Sequence, residues 1–289
     1  MHHLTGRTKA VATERLFAGL ELARRVESGW DLVGVENARS QRRRTPESQA
    51  EVLPVAAGHA VFMGAGSSLS QAQGLGLNGP VDGSDLSRME EFFRDRDTAS
   101  QIEVASLAHP SLMPALSLRG YLIAEQTHCL VCPLDHGDYQ DRSTARVSSA
   151  HDVRITRVEP EKLEPWVDLV LRCFFEEPEA PSAALREGSI AMAMVPALSA
   201  WMATVDDEPA GGGSLFMHGG LALFCGDGTL PGHRYRGVQT ALLAARLAHA
   251  RACGCDLAAI CTQPGSGSQR NAERQGFQLA YARTMLIRH

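Results

Sequence analysis

The chain has 289 residues, room for one large domain or two of ordinary size, and its 44% hydrophobic and 21% charged residues exclude a disordered polymer. A formal charge of −5 gives no overall attraction for nucleic acid or an anionic membrane, so any anion site must be local. Met1-His2-His3-Leu4 leads into no apolar signal segment, and no run of about 18 apolar residues is available to span a bilayer. A cytoplasmic protein without membrane or nucleic-acid partners is expected.

Residues 8–28, "TKAVATERLFAGLELARRVES", have the apolar spacing of an amphipathic helix, and "RSQRRRTPES" reads as a basic, solvated loop behind it. "EVLPVAAGHAVFMG" is strand-like. "GLGLNG", Gly74 to Gly79, matches a dinucleotide-binding glycine pattern, but Pro80-Val81-Asp82-Gly83 separates it from the next helix and no matching acidic unit follows. It reads as a strand ending in a turn. "SDLSRMEEFFRDRD" is a serine-capped helix, "QIEVASL" a strand, "PSLMPALSLRGY" a short helix, and a strand follows to Pro133.

Two of the seven cysteines, Cys129 and Cys132, lie on that last strand. Residues three apart on a strand face opposite ways and no second ligand pair follows, so they read as buried thiols and no metal is expected. The polar stretch Asp135 to Asp152 reads as a linker between domains at 1–134 and 153–289.

Past the linker, "EPWVDLVLRCFFEEPEAP" reads as a helix and loop, and "AWMATVDDEPAGGGSLFMHGGLALFCGDGTL" as strands with a turn at Gly211-Gly212-Gly213. A helix from Arg236 to about Cys253, the strand "DLAAICTQ", the short helix "SGSQRNAERQ" and the strand "FQLAYARTMLI" complete the chain. Both halves end β-α-β-α-β, with a helix stop at Gly120-Tyr121 in one and Gly276-Phe277 in the other, the pattern of a duplicated domain.

"TLPGHRYRGVQTALL", Thr229 to Leu243, places two arginines and a glycine where a strand turns into a helix. The first helical turn leaves N–H groups without partners and carries the positive end of the macrodipole. Cations there are unfavourable for the helix itself, so a pyrophosphate cradle accounts for them better than a bland solvated turn does.

This stretch resembles motif A of the GNAT (Gcn5-related) N-acetyltransferases, Arg/Gln-x-x-Gly-x-Gly/Ala, with Arg234 and Gly237 at the first two positions and Gln239 in place of the final small residue. "SQRNAERQGF" resembles motif B. The first half, with "GLGLNGP", "MEEFF" and "RGY", looks like a degenerate copy without the arginine motif. The resemblance implies two GNAT-like α/β domains, each a central mixed sheet flanked by helices, and a catalytic second half. It also implies acetyl-CoA as acyl donor, with its pyrophosphate on the backbone of Tyr235, Arg236, Gly237, Val238, Gln239 and Thr240. Asp227, Gly228 and Thr229 would lie along the pantetheine arm, and Ser268 and Asn271 could contact it. Ala272 replaces the tyrosine that often serves as acid, and Gly265 an asparagine; Tyr281 is a candidate phenol, or else a strand tyrosine. Asp227 is the first candidate base, with His218 and Glu177 behind it. A small-molecule or amino-acid amine is the expected acceptor; the alternative is a non-catalytic acyl-CoA-binding or sensing protein.

Overall fold

The computed structural model describes residues 18–134, 152–175 and 179–289. In the first half, α1 (Leu20–Arg44) precedes the hairpin β1 (Glu51–Val55) and β2 (Gly58–Phe62). Then come β3 (Gln71–Gln73), α2 (Gly83–Arg94), β4 (Ser100–Ala105), α3 (Leu112–Leu118) and β5 (Leu122–Pro133). The second half runs β6 (Val153–Arg157), α4 (Leu163–Phe174), α5 (Ala183–Ala193), β7 (Leu198–Val205), β8 (Glu208–His218) and β9 (Leu221–Thr229). It closes with α6 (Val238–Ala252), β10 (Leu257–Thr262), α7 (Gly267–Arg274) and β11 (Gln278–Arg288). The segment read as a linker lies, except for Asp152, outside the described residues.

All eleven strands join in one mixed sheet, in the order β1-β2-β3-β4-β11-β5-β10-β9-β8-β7-β6. The halves exchange their last strands. β11, the end of the second half, lies between β4 and β5 of the first, antiparallel to both. β5 in turn takes the free edge of β10, pairing from Leu257↔Pro133 to Thr262↔His128. Two repeats that each left a final strand to be paired thus satisfy it in the other's sheet, where the backbone groups find the same antiparallel partners.

The helix expected at 8–28 runs instead from Leu20 to Arg44, residues 1–17 lying outside the description. Gly29, inside this helix, serves packing. A Cβ on Gly29 would come within 2.6 Å of Leu221 Cδ2, so the glycine lets α1 lie close on β9. The supposed basic loop is the last turn of this helix, where Arg42, Arg43 and Arg44 face the negative end of its dipole. Arg44 bonds Glu164 at 2.9 Å and also Glu187, joining α1 to α4 and α5.

The sheet separates two apolar layers in the second half. Phe224, Leu242, Leu243, Leu247 and Ile260 pack under α6, and Val26, Leu221, Leu223, Cys225 and Tyr281 pack under α1. Cys129 belongs to the α1 layer and Cys132 to the α6 layer, on opposite faces as their spacing requires. Among the described residues no group of side chains is arranged to hold a metal ion, and no helix is long and apolar enough to cross a membrane. The GLGLNG loop follows β3 and leads to α2, but Leu75 and Leu77 are buried and Gly76 O accepts from His109 N–H at 2.6 Å. The loop is packed into the first half's core.

The exchanged strand is pinned by a buried charge cluster. Glu27 of α1 accepts from Tyr281 Oη at 2.8 Å and pairs with Arg283 Nε at 3.0 Å, and Arg283 also faces Glu103 at 3.6 Å. Glu27 and Arg283 are almost wholly buried. Removing one partner leaves the other charge uncompensated in low dielectric. We therefore expect Glu27→Ala to lower the unfolding free energy by about 3–5 kcal/mol in urea titration. A Glu27→Ala/Arg283→Met double variant should lose less than the single one.

Candidate active site

β9 and β10 run parallel in register from Leu221↔Leu257 to Phe224↔Ile260, and there the pairing ends. β9 continues to Thr229 with its β10-facing edge unpaired, so the sheet opens into a wedge. On its other edge the β8 register shifts from Gly212↔Gly228 to Ser214↔Cys225, placing Gly226 and Asp227 opposite Gly213 alone. This is a β-bulge, which re-aims side chains and frees backbone groups from the ladder. Gly226 takes φ +58°, a left-handed conformation that suits glycine.

The bulge decides what Asp227 can do. Its side chain turns to the α6 face and forms an ion pair with Arg246, whose side chain is 0% exposed. Arg246 also donates to Ser214 O at 2.9 Å and Leu242 O at 3.1 Å, and lies over the Phe224 ring at 4.9 Å. Gly213 makes room for the pair, because a Cβ there would run into the Asp227 carboxylate and the Arg246 guanidinium. Burial raises the Asp227 pKa, opposed by the attraction of Arg246. The carboxylate expected as base is therefore ion-paired beneath the bulge, on the α6 face.

After Leu230 the chain makes a 3-10 turn at Pro231–His233 and enters α6 through Tyr235 at φ +63° and Gly237 at φ +83°. A non-glycine residue in that region is held by its surroundings, and such strain collects at ligand sites. Among the described residues the backbone N–H groups of Tyr235, Arg236, Gly237, Val238, Gln239 and Thr240 find no acceptor. The first donor of the helix is Ala241 N–H, to Gly237 O at 2.9 Å. Six successive donors therefore lie at the positive end of a 15-residue helix. Arg234 precedes them, and the side chain of Tyr235, the first of the six, is fully exposed.

The mouth is braced from α7. Gln239 Nε2 donates to Ser268 Oγ at 3.0 Å, and Thr240 Oγ1 to Asn271 Oδ1 at 2.8 Å. Motifs A and B are thus tied directly, and Gln239 spends an amide donor on Ser268. Gly228 and Thr229 lie on the open stretch of β9. Ala272 is buried among the α6 core residues.

Two further candidates fall away from the wedge. Tyr281 is 5% exposed with its phenol bound to Glu27, on a strand three places from β9 and so about 14 Å away. It is a structural tyrosine and does not reach the open end of β9. His218 ends β8 five residues past Gly213, about 17 Å along the strand. Glu177 lies outside the described residues.

The opposite face of the bulge holds a cavity of about 200 Å³ that the sequence reading missed. α4 comes so close that a Cβ on Gly212 would lie 2.6 Å from Trp166 Nε1 and 2.9 Å from Val170 Cγ2. Trp166, Val170 and Phe174, four residues apart along α4, line the cavity together with Gly226 of the bulge. The signal available in the sequence was that stripe at helical spacing, which a core helix also carries.

A run of backbone donors without acceptors at the start of α6 is the kind of cradle that the motif A resemblance implies. The model of the acetyltransferase (GNAT) family matches residues 163–277. No match is found among curated proteins. Among solved structures, a GCN5-related N-acetyltransferase from Kribbella flavida is similar at TM-score 0.58 and 18% identity, covering 86% of this chain and 93% of that one. A tandem GNAT protein from the clavulanic acid biosynthesis pathway gives TM-score 0.53 and 15% identity, over 71% of this chain and 68% of its own. These identities speak to the fold alone. Residues 163–277 match the GNAT acetyltransferase model, and the chain has the fold of a tandem GNAT protein.

Proposed function

We propose that the protein transfers an acetyl group from acetyl-CoA to a primary amine of a small molecule or amino acid. The observation that carries this reading is the run of six unpartnered N–H groups from Tyr235 to Thr240, opening onto the unpaired edge of β9. These donors, with Arg234 and Arg236, suit a pyrophosphate. The edge of Cys225–Thr229 offers strand-like hydrogen bonds to the amides of a pantetheine arm.

The bulge at Gly226–Asp227 then presents backbone donors where the thioester carbonyl would lie, and such fixed donors favour the oxyanion that forms as the amine attacks. The new C–N bond replaces the C–S bond, the thiolate leaves as CoA, and the amine proton passes to water. With Asp227 ion-paired and Tyr281 bound to Glu27, neither side chain accepts that proton. A neutral amine is itself the nucleophile, so positioning and oxyanion stabilisation carry the reaction. The second reading, an acyl-CoA-binding or sensing protein without turnover, draws on the same pairing of Asp227 and on the buried alanine at Ala272. Formation of acetylated product separates the two.

Calorimetry should show one acetyl-CoA per chain, with affinity falling tenfold or more in an Arg234→Ala/Arg236→Ala double variant. Absence of binding by the wild type would overturn the reading. Tyr281→Phe should retain kcat/KM within about threefold, because its phenol serves packing. Asp227→Asn should behave as a stability variant, losing about 3 kcal/mol in urea because Arg246 keeps its buried charge. A loss of kcat at unchanged stability would instead restore Asp227 as the base.

A further inference from the structure

The cavity beside the bulge has a composition that restricts what enters it. Its apolar wall is Trp166, Val170 and Phe174 of α4, Met192 of α5 and Leu198 of β7, and among the described residues no Asp, Glu, Lys, Arg or His lines it. The polar groups are few and mostly engaged. Trp166 Nε1 donates to Trp201 O at 2.9 Å, and Ser214 Oγ to Cys225 O at 3.0 Å. Ser189 alone adds a hydroxyl. A charged or strongly hydrated group placed here would lose its water without replacement, at a cost of several kcal/mol. An apolar group gains from leaving water, and apolar cavities of about 150 Å³ hold a benzene ring.

The first half of the chain completes the wall. Leu69, in the turn between β2 and β3, lines the cavity and lies against α5, where a Cβ on Gly188 would come within 2.8 Å of Leu69 Cδ1. Ser70 Oγ holds this turn by accepting from Met63 N–H at 3.0 Å.

We infer that the acceptor is a primary amine carrying a phenyl or branched aliphatic group a short chain from the nitrogen, with that group seated in this cavity and Leu69 of the first half setting its fit. The inference rests on the acetyl-transfer reading, because it places the amine at Gly226, where the cavity meets the bulge. Polyamines and amino acids with charged side chains are disfavoured for the same reason.

The test compares acetyl transfer to 2-phenylethylamine and 3-methylbutylamine with transfer to ethanolamine, spermidine and lysine. The expected result is a kcat/KM at least tenfold higher for the first two. Leu69→Asp should erase most of that preference, chiefly through KM, while acetyl-CoA affinity stays unchanged by calorimetry. Equal or better use of the hydrophilic amines by a chain that binds acetyl-CoA overturns this inference alone. Hexanoyl-CoA used better than acetyl-CoA, with that advantage lost in Leu69→Asp, also overturns it, by giving the cavity to the acyl chain. If no amine is turned over, titration of 2-phenylethylamine into the CoA-bound protein decides: binding weakened by Leu69→Asp supports the inference, and no binding overturns it. Failure to bind acetyl-CoA at all overturns the underlying acetyl-transfer reading instead.

Discussion

The bulge between β8 and β9 depends on one buried ion pair, Asp227 with Arg246, and the active-site geometry depends on the bulge. A guanidinium taken wholly out of water needs a fixed counter-charge and acceptors for its remaining donors. Asp227, Ser214 O and Leu242 O supply them. The pair fits only because Gly213 lacks a side chain, and it forms only if Asp227 turns toward α6. That turn leaves Gly226 facing α4 and the apolar cavity. One charge on α6 therefore fixes which strand residues meet solvent, ligand and core.

The cradle and the cavity lie at separate parts of this arrangement and have opposite chemistry. At the start of α6, free N–H groups and arginines favour a multiply charged anion. On the α4 and α5 side, the walls are apolar and uncharged. The proposed donor and acceptor would thus be held by different forces, one by directional hydrogen bonds and charge, the other by exclusion of water. Between them lies only the bulged backbone, the place where charge develops during acyl transfer.

Much of this was legible in the sequence, for local reasons. The arginine turn declares itself because cations at a helix N-terminus conflict with the helix dipole, and a conflict calls for a ligand. Most of the order of strands and helices follows from spacing and turn residues, but β6 and α5 were not read. What escaped depended on contacts distant in sequence. The helix expected to end at residue 28 continues through Gly29 because that glycine packs against Leu221. Asp227 is a candidate base by its place beside the expected acetyl site, but a bulge decides where its side chain points, and no local spacing announces the bulge. Sequence left Tyr281 as either a candidate phenol or a strand tyrosine, because Glu27, which holds its phenol, lies more than 250 residues earlier. The cavity needed Leu69 and α4 together, and no spacing relates them.

The exchange of β5 and β11 also sets the order in which the molecule can be completed. As the chain emerges from the ribosome, β4 and β5 cannot have the strand that separates them until β11 exists. Until then the first half presents open strand edges, the kind of surface that pairs with other chains. The two repeats cannot mature one after the other as beads on a string. Closure comes with β11, and a chain stalled or cleaved before Gln278 would leave β4 and β5 without the strand that joins them.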